Sequence, residues 1–179
     1  MNVETVMTRD PRSCSIQDSL HQAARLMWDN DCGVVPVVDE TGRLRGLVTD
    51  RDVCMAGYTQ GKPPHDIAIE SVMSRTLFTL SPGDSIPHAL GLFHERQVRR
   101  APVTNNIGVL VGMLSISDVV HAFLTGKLGR DVKAEQVWSA VHAISKPRRA
   151  EEAAPKLATR EVIVSPRPKR APAKSSRKK

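Results

Sequence analysis

The stretch Val3-Glu4-Thr5-Val6-Met7-Thr8-Arg9 returns 66 residues later as Ile69-Glu70-Ser71-Val72-Met73-Ser74-Arg75. Outward from it the same offset continues without a gap. Asp18-Ser19 falls on Asp84-Ser85, Ala23 on Ala89, Leu26 on Leu92, Pro36-Val37 on Pro102-Val103 and Gly42 on Gly108. Gly46-Leu47-Val48-Thr49 falls on Gly112-Met113-Leu114-Ser115, and Asp52-Val53 on Asp118-Val119. One register, held with apolar, capping and turn residues in the same places, marks an internal duplication. The chain divides into unit 1 (residues 1–60), unit 2 (61–125), a C-terminal helix region (126–145) and a tail (146–179).

Each copy reads as strand–helix–strand–strand–helix. Asp18-Ser19 and Asp84-Ser85 are helix N-caps. Leu20, Ala23, Ala24 and Met27 then recur at helical spacing, as do Ile86, Ala89, Leu90 and Phe93. Pro87 falls in a first helical turn, where its missing N–H costs nothing. Val34-Val35-Pro36-Val37-Val38, the turn Asp39-Glu40-Thr41-Gly42 and Leu44 to Val48 form a β-hairpin signature, repeated less regularly around Asn105-Asn106-Ile107-Gly108. A second helix starts at Thr49 or Ser115, and Gly57 to Pro64 reads as the linker between copies. The fold class is α+β. One such unit leaves a face of its sheet uncovered, so two are expected to pack through their sheets about a pseudo-two-fold axis, with clefts on that axis.

The +7 net charge of the 179 residues is unevenly spread. Residues 146–179 hold twelve basic and three acidic side chains, a net +9, which leaves −2 on residues 1–145. Hydrophobic residues make up 40% and aromatics 3%, so the core rests on aliphatic side chains. No apolar run is long enough to span a bilayer, and Met1-Asn2-Val3-Glu4 lacks a secretory pattern; a cytoplasmic protein with no membrane partner is expected.

The string Gly-x-x-Thr/Ser-x-x-Asp occurs as Gly46–Asp52 and Gly112–Asp118. Two readings stand side by side. Thr or Ser followed three residues later by an acid is a capping box. The same residues suit a nucleotide: the helix N-terminus and the Thr49 or Ser115 hydroxyl for phosphate, Asp52 or Asp118 for the ribose hydroxyls, and Gly46 or Gly112 for close approach of a ligand to the backbone.

With Val-Met-Thr/Ser upstream and an apolar-Pro-Val strand between, the two strings resemble a tandem pair of CBS domains, a Bateman module, over about Met1 to Leu124. The resemblance implies a non-catalytic regulatory module that binds AMP, ADP, ATP or S-adenosylmethionine, with no obligatory cofactor and no metal. By the same resemblance Asp52 and Asp118 hold ribose, Thr49 and Ser115 help hold phosphate, and two modules pair as a homodimer. Arg99-Arg100, just before the second Pro-Val strand, resemble the phosphate-facing basic residues of the AMP-activated protein kinase gamma subunit; the alternative is a solvated surface pair. Gly33-Val34 stand there in copy one, so the two clefts are expected to differ in charge. Ligand binding would then shift the relative orientation of the units or protomers, which a regulated partner reads.

Other residues give weaker signals. Cys14, Cys32 and Cys54 correspond to Leu80, Val98 and Val120, which reads as buried small hydrophobes. The six histidines have no metal-ligand spacing, and no catalytic triad or Gly-x-Gly-x-x-Gly is present, so an enzyme is not expected. Asp131 to Ser145 reads as a helix packed on the module or on a second copy. The Pro-, Lys- and Arg-rich tail has a disordered composition, with Glu161-Val162-Ile163-Val164 able to order on contact. It suits non-specific nucleic-acid binding through phosphate, and equally a solvated tail or one that docks on an acidic partner. That gives the alternative function, a nucleic-acid-associated protein whose repeat is a dimerisation scaffold.

Overall fold

The computed structural model describes residues 1–129 and 131–146 in full and the backbone of Glu161–Ile163. A 3-10 turn at Val3–Thr5 leads into β1 (Thr8–Arg9) and β2 (Cys14–Ser15). Then come α1 (Leu20–Asp29), the hairpin β3 (Val34–Val38) and β4 (Leu44–Thr49), and α2 (Asp50–Gln60). After 3-10 turns at Pro64–Asp66 and Ile69–Ser71 the series repeats as β5 (Thr76–Phe78), α3 (Ile86–Arg96), β6 (Arg100–Thr104), β7 (Leu110–Ser115) and α4 (Ile116–Leu124). It is followed by α5 (Ala134–Ser145) and β8 (Glu161–Ile163).

The expected helices form with their apolar stripes inward: Leu20, Ala23 and Met27 of α1 are buried, and so are Ile86, Ala89, Leu90 and Phe93 of α3. Two boundaries differ from the sequence reading. Helix α2 continues through Gly57 and ends at Gly61, whose φ of +59° makes the left-handed cap, with its N–H on the Gly57 carbonyl at 3.1 Å. Helix α5 begins at Ala134 rather than Asp131. Its Val137, Ala140 and Ala143 are buried, and Val137 and Ala140 join the second core beside Phe93 and Leu128, so it packs on its own module.

The two hairpin turns are built alike from different residues. Asp39 Oδ1 accepts from the Thr41 N–H (2.9 Å), the Thr41 hydroxyl (2.7 Å) and the Arg43 N–H (3.1 Å). Asn105 Oδ1, at the equivalent position, accepts from the Ile107 and Val109 N–H groups at 3.1 and 3.0 Å. The tips then bond each other reciprocally, Leu44 N–H to Gly108 O and Leu110 N–H to Gly42 O, both at 3.0 Å. These bonds lie on the pseudo-two-fold axis, since each is the other displaced by the repeat offset.

The copies do not fold as the sequence divides them. Strand β1 leaves its own copy and pairs antiparallel with β7, Thr8 opposite Met113 and Arg9 opposite Gly112. The reciprocal bridge joins Ser74 to Leu47 of β4, with N–H···O bonds of 2.9 and 3.1 Å in the two directions. The cores follow. Val3 is fully buried among Leu80, Ile86, Phe93 and Leu114 of the second unit, while Ile67, Ile69 and Met73 join Leu20, Val35, Val37 and Val48 of the first. Burying a Val or Ile side chain contributes roughly 1.5–3 kcal/mol, so each unit draws part of its stability from the other's opening segment.

Strand β2 lies parallel to β3, which pairs antiparallel with β4; β6 pairs antiparallel with β7. The Leu80–Val103 bridge repeats the Cys14–Val37 pairing. In β3, Val34 through Val37 are all buried, the pattern of a strand covered on both faces. Part of the tail reading is revised: Glu161–Ile163 lies antiparallel to β5 within the same chain. The rest of the expected disordered tail, from 147 to 160 and from 164 onward, lies outside the described residues.

Gly46 and Gly112 gain their reason here. A Cβ on Gly46 would stand 2.5 Å from Met73 Sδ, and one on Gly112 would collide with Met7 Sδ. The exchanged methionines fill the space that the sequence reading gave to a ligand. Gly112→Ala is therefore expected to cost about 1–3 kcal/mol in urea unfolding through overpacking. Gly57→Ala, where a Cβ meets nothing within 4 Å, should raise stability by about 0.5–1 kcal/mol.

Asp39 carries a pH dependence. Partial burial acts against its charged form, but the Thr41 and Arg43 hydrogen bonds and the nearby Arg45 outweigh it and hold the carboxyl below its ordinary 3.8. A lowered folded-state value means stability that is present above pH 3.8 and lost as pH falls below it. In Asp39→Asn, which copies Asn105, a pH series of thermal melts should show a smaller acid-side loss, with stability at neutral pH lowered by the contribution that the charged carboxylate supplied.

Candidate functional site

The two Thr/Ser-x-x-Asp strings fold as identical capping boxes. The Thr49 N–H and hydroxyl donate to Asp52 Oδ2 at 2.8 and 2.7 Å, and the Asp52 N–H donates to the Thr49 hydroxyl at 3.2 Å. Ser115 and Asp118 repeat the arrangement with the same three distances. Each box satisfies N-terminal N–H groups of its helix, α2 or α4. It also leaves Asp52 Oδ1 and Asp118 Oδ1 without a hydrogen bond among the described residues.

Around one of these boxes the units form a cavity of about 460 Å³. Ser115, Asp118 and Arg100 line it from the second unit, with Met113 and Leu114 of β7. The first copy supplies Thr8, Pro11, Arg12, Asn30, Asp31, Cys32, Val34 and Pro36. A hydroxyl at a helix N-terminus, two carboxylates, two guanidinium groups and an apolar wall thus meet in one concavity. Such a place can hold an anionic group, accept from hydroxyls and cover an apolar ring.

The structure therefore gathers Ser115, Asp118 and Arg100. Arg99 is exposed and does not line this cavity, nor do Thr49 and Asp52, which occupy the equivalent position in the other unit. Gly46 and Gly112 face the exchanged methionines. At that symmetric position the counterparts of Arg12 and Asn30 are Phe78 and Arg96, with the guanidinium stacked 4.7 Å over the ring.

Sequence reasoning missed Arg12 and the Asn30–Cys32 turn. The turn's signal is faint: Asp31 adopts a left-handed φ of +47°, as does its counterpart Gln97 at +48°, and neither is glycine. Arg12 lies on the crossover between β1 and β2, which only the exchange brings to the cleft.

The cysteines divide. Cys14 is buried, as expected, and burial together with the charge of Asp18 pushes its thiol up to about 12. Cys32 is half-buried at the cavity, however, and Cys54 is exposed.

Two copies of one unit about an approximate two-fold axis, with a cleft between them, define a tandem paired module. The chain belongs to the CBS domain family, whose profile matches residues 3–58 and 69–125. YlbB of Bacillus subtilis (strain 168) is 35% identical over 118 residues, spanning 65% of this chain and 78% of that protein. The crystal structure of CBSX2 in complex with AMP is similar, with a TM-score of 0.63 and 23% identity over 70% of this chain and 98% of that one. The CBS domain pair of protein MJ0100, in complex with 5′-methylthioadenosine and S-adenosyl-L-methionine, has a TM-score of 0.63 and 24% identity, covering 71% and 98%. At these identities the two structures bear on the fold. No helix among the described residues is long and apolar enough to cross a membrane.

The thiols provide a direct check on this geometry. At pH 8 an alkylating reagent followed by mass spectrometry should modify Cys54 first and Cys32 more slowly. Cys14 should react only after the chain is unfolded, because burial both shields it and suppresses its thiolate.

Proposed function

We propose that this chain is a non-catalytic sensor of adenosine-containing ligands, bound in the cleft at Ser115 and Asp118. The observation that carries the reading is the capping box opening into the 460 Å³ cavity. Asp118 uses Oδ2 to cap α4 and keeps Oδ1 for ribose hydroxyls. The Ser115 hydroxyl, the first N–H groups of α4 and the Arg100 guanidinium are the donors for phosphate. Val34, Pro36 and Met113 offer the base an apolar slot. The adenosine ligands of the CBSX2 and MJ0100 structures support the same ligand class.

Thr49 and Asp52 supply the equivalent half-site. With Phe78 and Arg96 stacked where Arg12 and Asn30 stand in the first cleft, the Asp118 cleft is the principal one. Ligand held between elements of both units changes their relative orientation, and that change is the signal. Association of two copies is supported by the exposed Tyr58 of α2 and Leu124 of α4, equivalent positions that are 84% and 75% exposed, and by Trp28 at 87%.

The test is a thermal-shift panel with AMP, ADP, ATP and S-adenosylmethionine on wild type, Asp52→Asn and Asp118→Asn. A ligand at about one hundred times its Kd should add roughly 2.7 kcal/mol to wild-type stability. Both variants should lose similar unliganded stability, because both caps are alike, while Asp118→Asn alone should abolish the ligand-induced shift. A cooperative wild-type melt unmoved by all four compounds would sink the reading.

A further inference from the structure

The crossovers between the two sheets differ, although the rest of the repeat is kept. In copy one, residues 10–12 lie in no strand, and the chain bends at Asp10, a non-glycine residue held at a left-handed φ of +45°. Pro11 and Arg12 then line the Asp118 cavity. The same positions of copy two are Thr76, Leu77 and Phe78, and they form β5. Thr76 thus takes the extended backbone of a strand where its counterpart takes the left-handed one. Among the described residues β5 pairs with β8 and with no other strand. Thr76 lies opposite Ile163, Leu77 opposite Val162 and Phe78 opposite Glu161, in a two-stranded sheet separate from the other two. Burial divides in the same way. Pro11 is half-buried and Arg12 exposed, whereas Leu77 is buried and Phe78 half-buried, with the Arg96 guanidinium over its ring.

We propose that Glu161–Ile163 is a detachable strap: docked on β5 it holds the second crossover extended and the Asp52 half-site closed, and its release opens that half-site to a second adenosine-containing ligand. The inference rests on the adenosine reading of the Asp118 cleft and adds a control on its twin. The strap seats on the segment in which the two clefts differ, since β5 carries the counterparts of Pro11 and Arg12. Its size makes it releasable. A pairing of two strands, three residues each, is marginal in water, so the docked and released states lie close in free energy and a modest bias shifts their populations. Because β8 follows α5 in the same chain, and α5 packs on the second unit's core, docking is an intramolecular step. Once free of β8, residues 76–78 can bend as residues 10–12 do, and Phe78 leaves the wall it shares with Arg96. Linkage then runs both ways: a ligand held at Asp52 disfavours the docked strap and frees the tail.

The experiment compares the full chain with its Val162→Pro/Ile163→Pro variant. Neighbouring residues of a strand alternate in which side their N–H groups face, so the double change removes a ladder donor whichever of the two supplies it. Hydrogen exchange read by mass spectrometry should show residues 76–78 exchanging faster in the variant, with α3 and α4 unchanged. Isothermal titration with AMP should give one site per chain in wild type and two in the variant, the Asp118 site keeping its affinity. Adding Asp52→Asn to the variant should remove the second site and leave the first. Unchanged exchange at residues 76–78 would show that β8 does not hold β5, and the inference would fail. Faster exchange with a single AMP site in both proteins, or two sites already in wild type, would overturn it while the adenosine reading stands. If AMP binds neither protein, both readings fall.

Discussion

The packing of Met7 over Gly112 and of Met73 over Gly46 is the contact on which the rest of the molecule depends. Each methionine belongs to a segment that has left its own copy to edge the other copy's sheet. Glycine is required beneath it because a Cβ would occupy the space of the sulfur. Once the segments cross, their neighbours Val3 and Ile69 drop into the opposite cores, and each unit's core holds side chains of the other copy.

The crossing also explains why a cleft exists where it does. To pass from one sheet to the other the chain must turn between Arg9 and Cys14, and that turn delivers Pro11 and Arg12 to the mouth of the cavity. The opposite wall is a hairpin and a helix start, held by the tip-to-tip bonds between Gly42 and Leu110 and between Leu44 and Gly108. The capping box starts α4 and also lines the cavity. It needs only one carboxylate oxygen of Asp118, so the helix-cap and ligand-site interpretations of the same residues are compatible.

Much of this was legible in the sequence. The duplication, both hairpins, the helix starts at Thr49 and Ser115 and the buried stripe of α3 follow from spacing and residue type, because they are local. The capping boxes were legible for the same reason. What could not be read depends on contacts between copies. Val3-Glu4-Thr5-Val6-Met7 has the composition of a segment that packs somewhere, and nothing local says on which unit. The same ignorance hid Arg12, whose neighbours in sequence are not its neighbours in the cleft. It also inverted the meaning of Gly46 and Gly112, which look open to a ligand until their methionines are placed. The three cysteines look alike in the sequence, whereas Cys14 sits on a strand that faces the core and Cys54 on an exposed part of α2.

The exchange has a consequence for the history and the handling of such chains. A lone copy of the 66-residue repeat would present an empty groove above its glycine and an opening segment with no groove of its own. Two separate molecules would satisfy each other by trading those segments, giving a dimer whose halves are interlocked rather than merely stuck together. Joining two copies head to tail in one gene makes that trade internal and independent of concentration. It then frees each copy to drift, as Arg12 and Phe78 show at matching positions. A cut at the linker near Gly61 would therefore yield no half-module that is whole, since each fragment would hold a piece of the other's core.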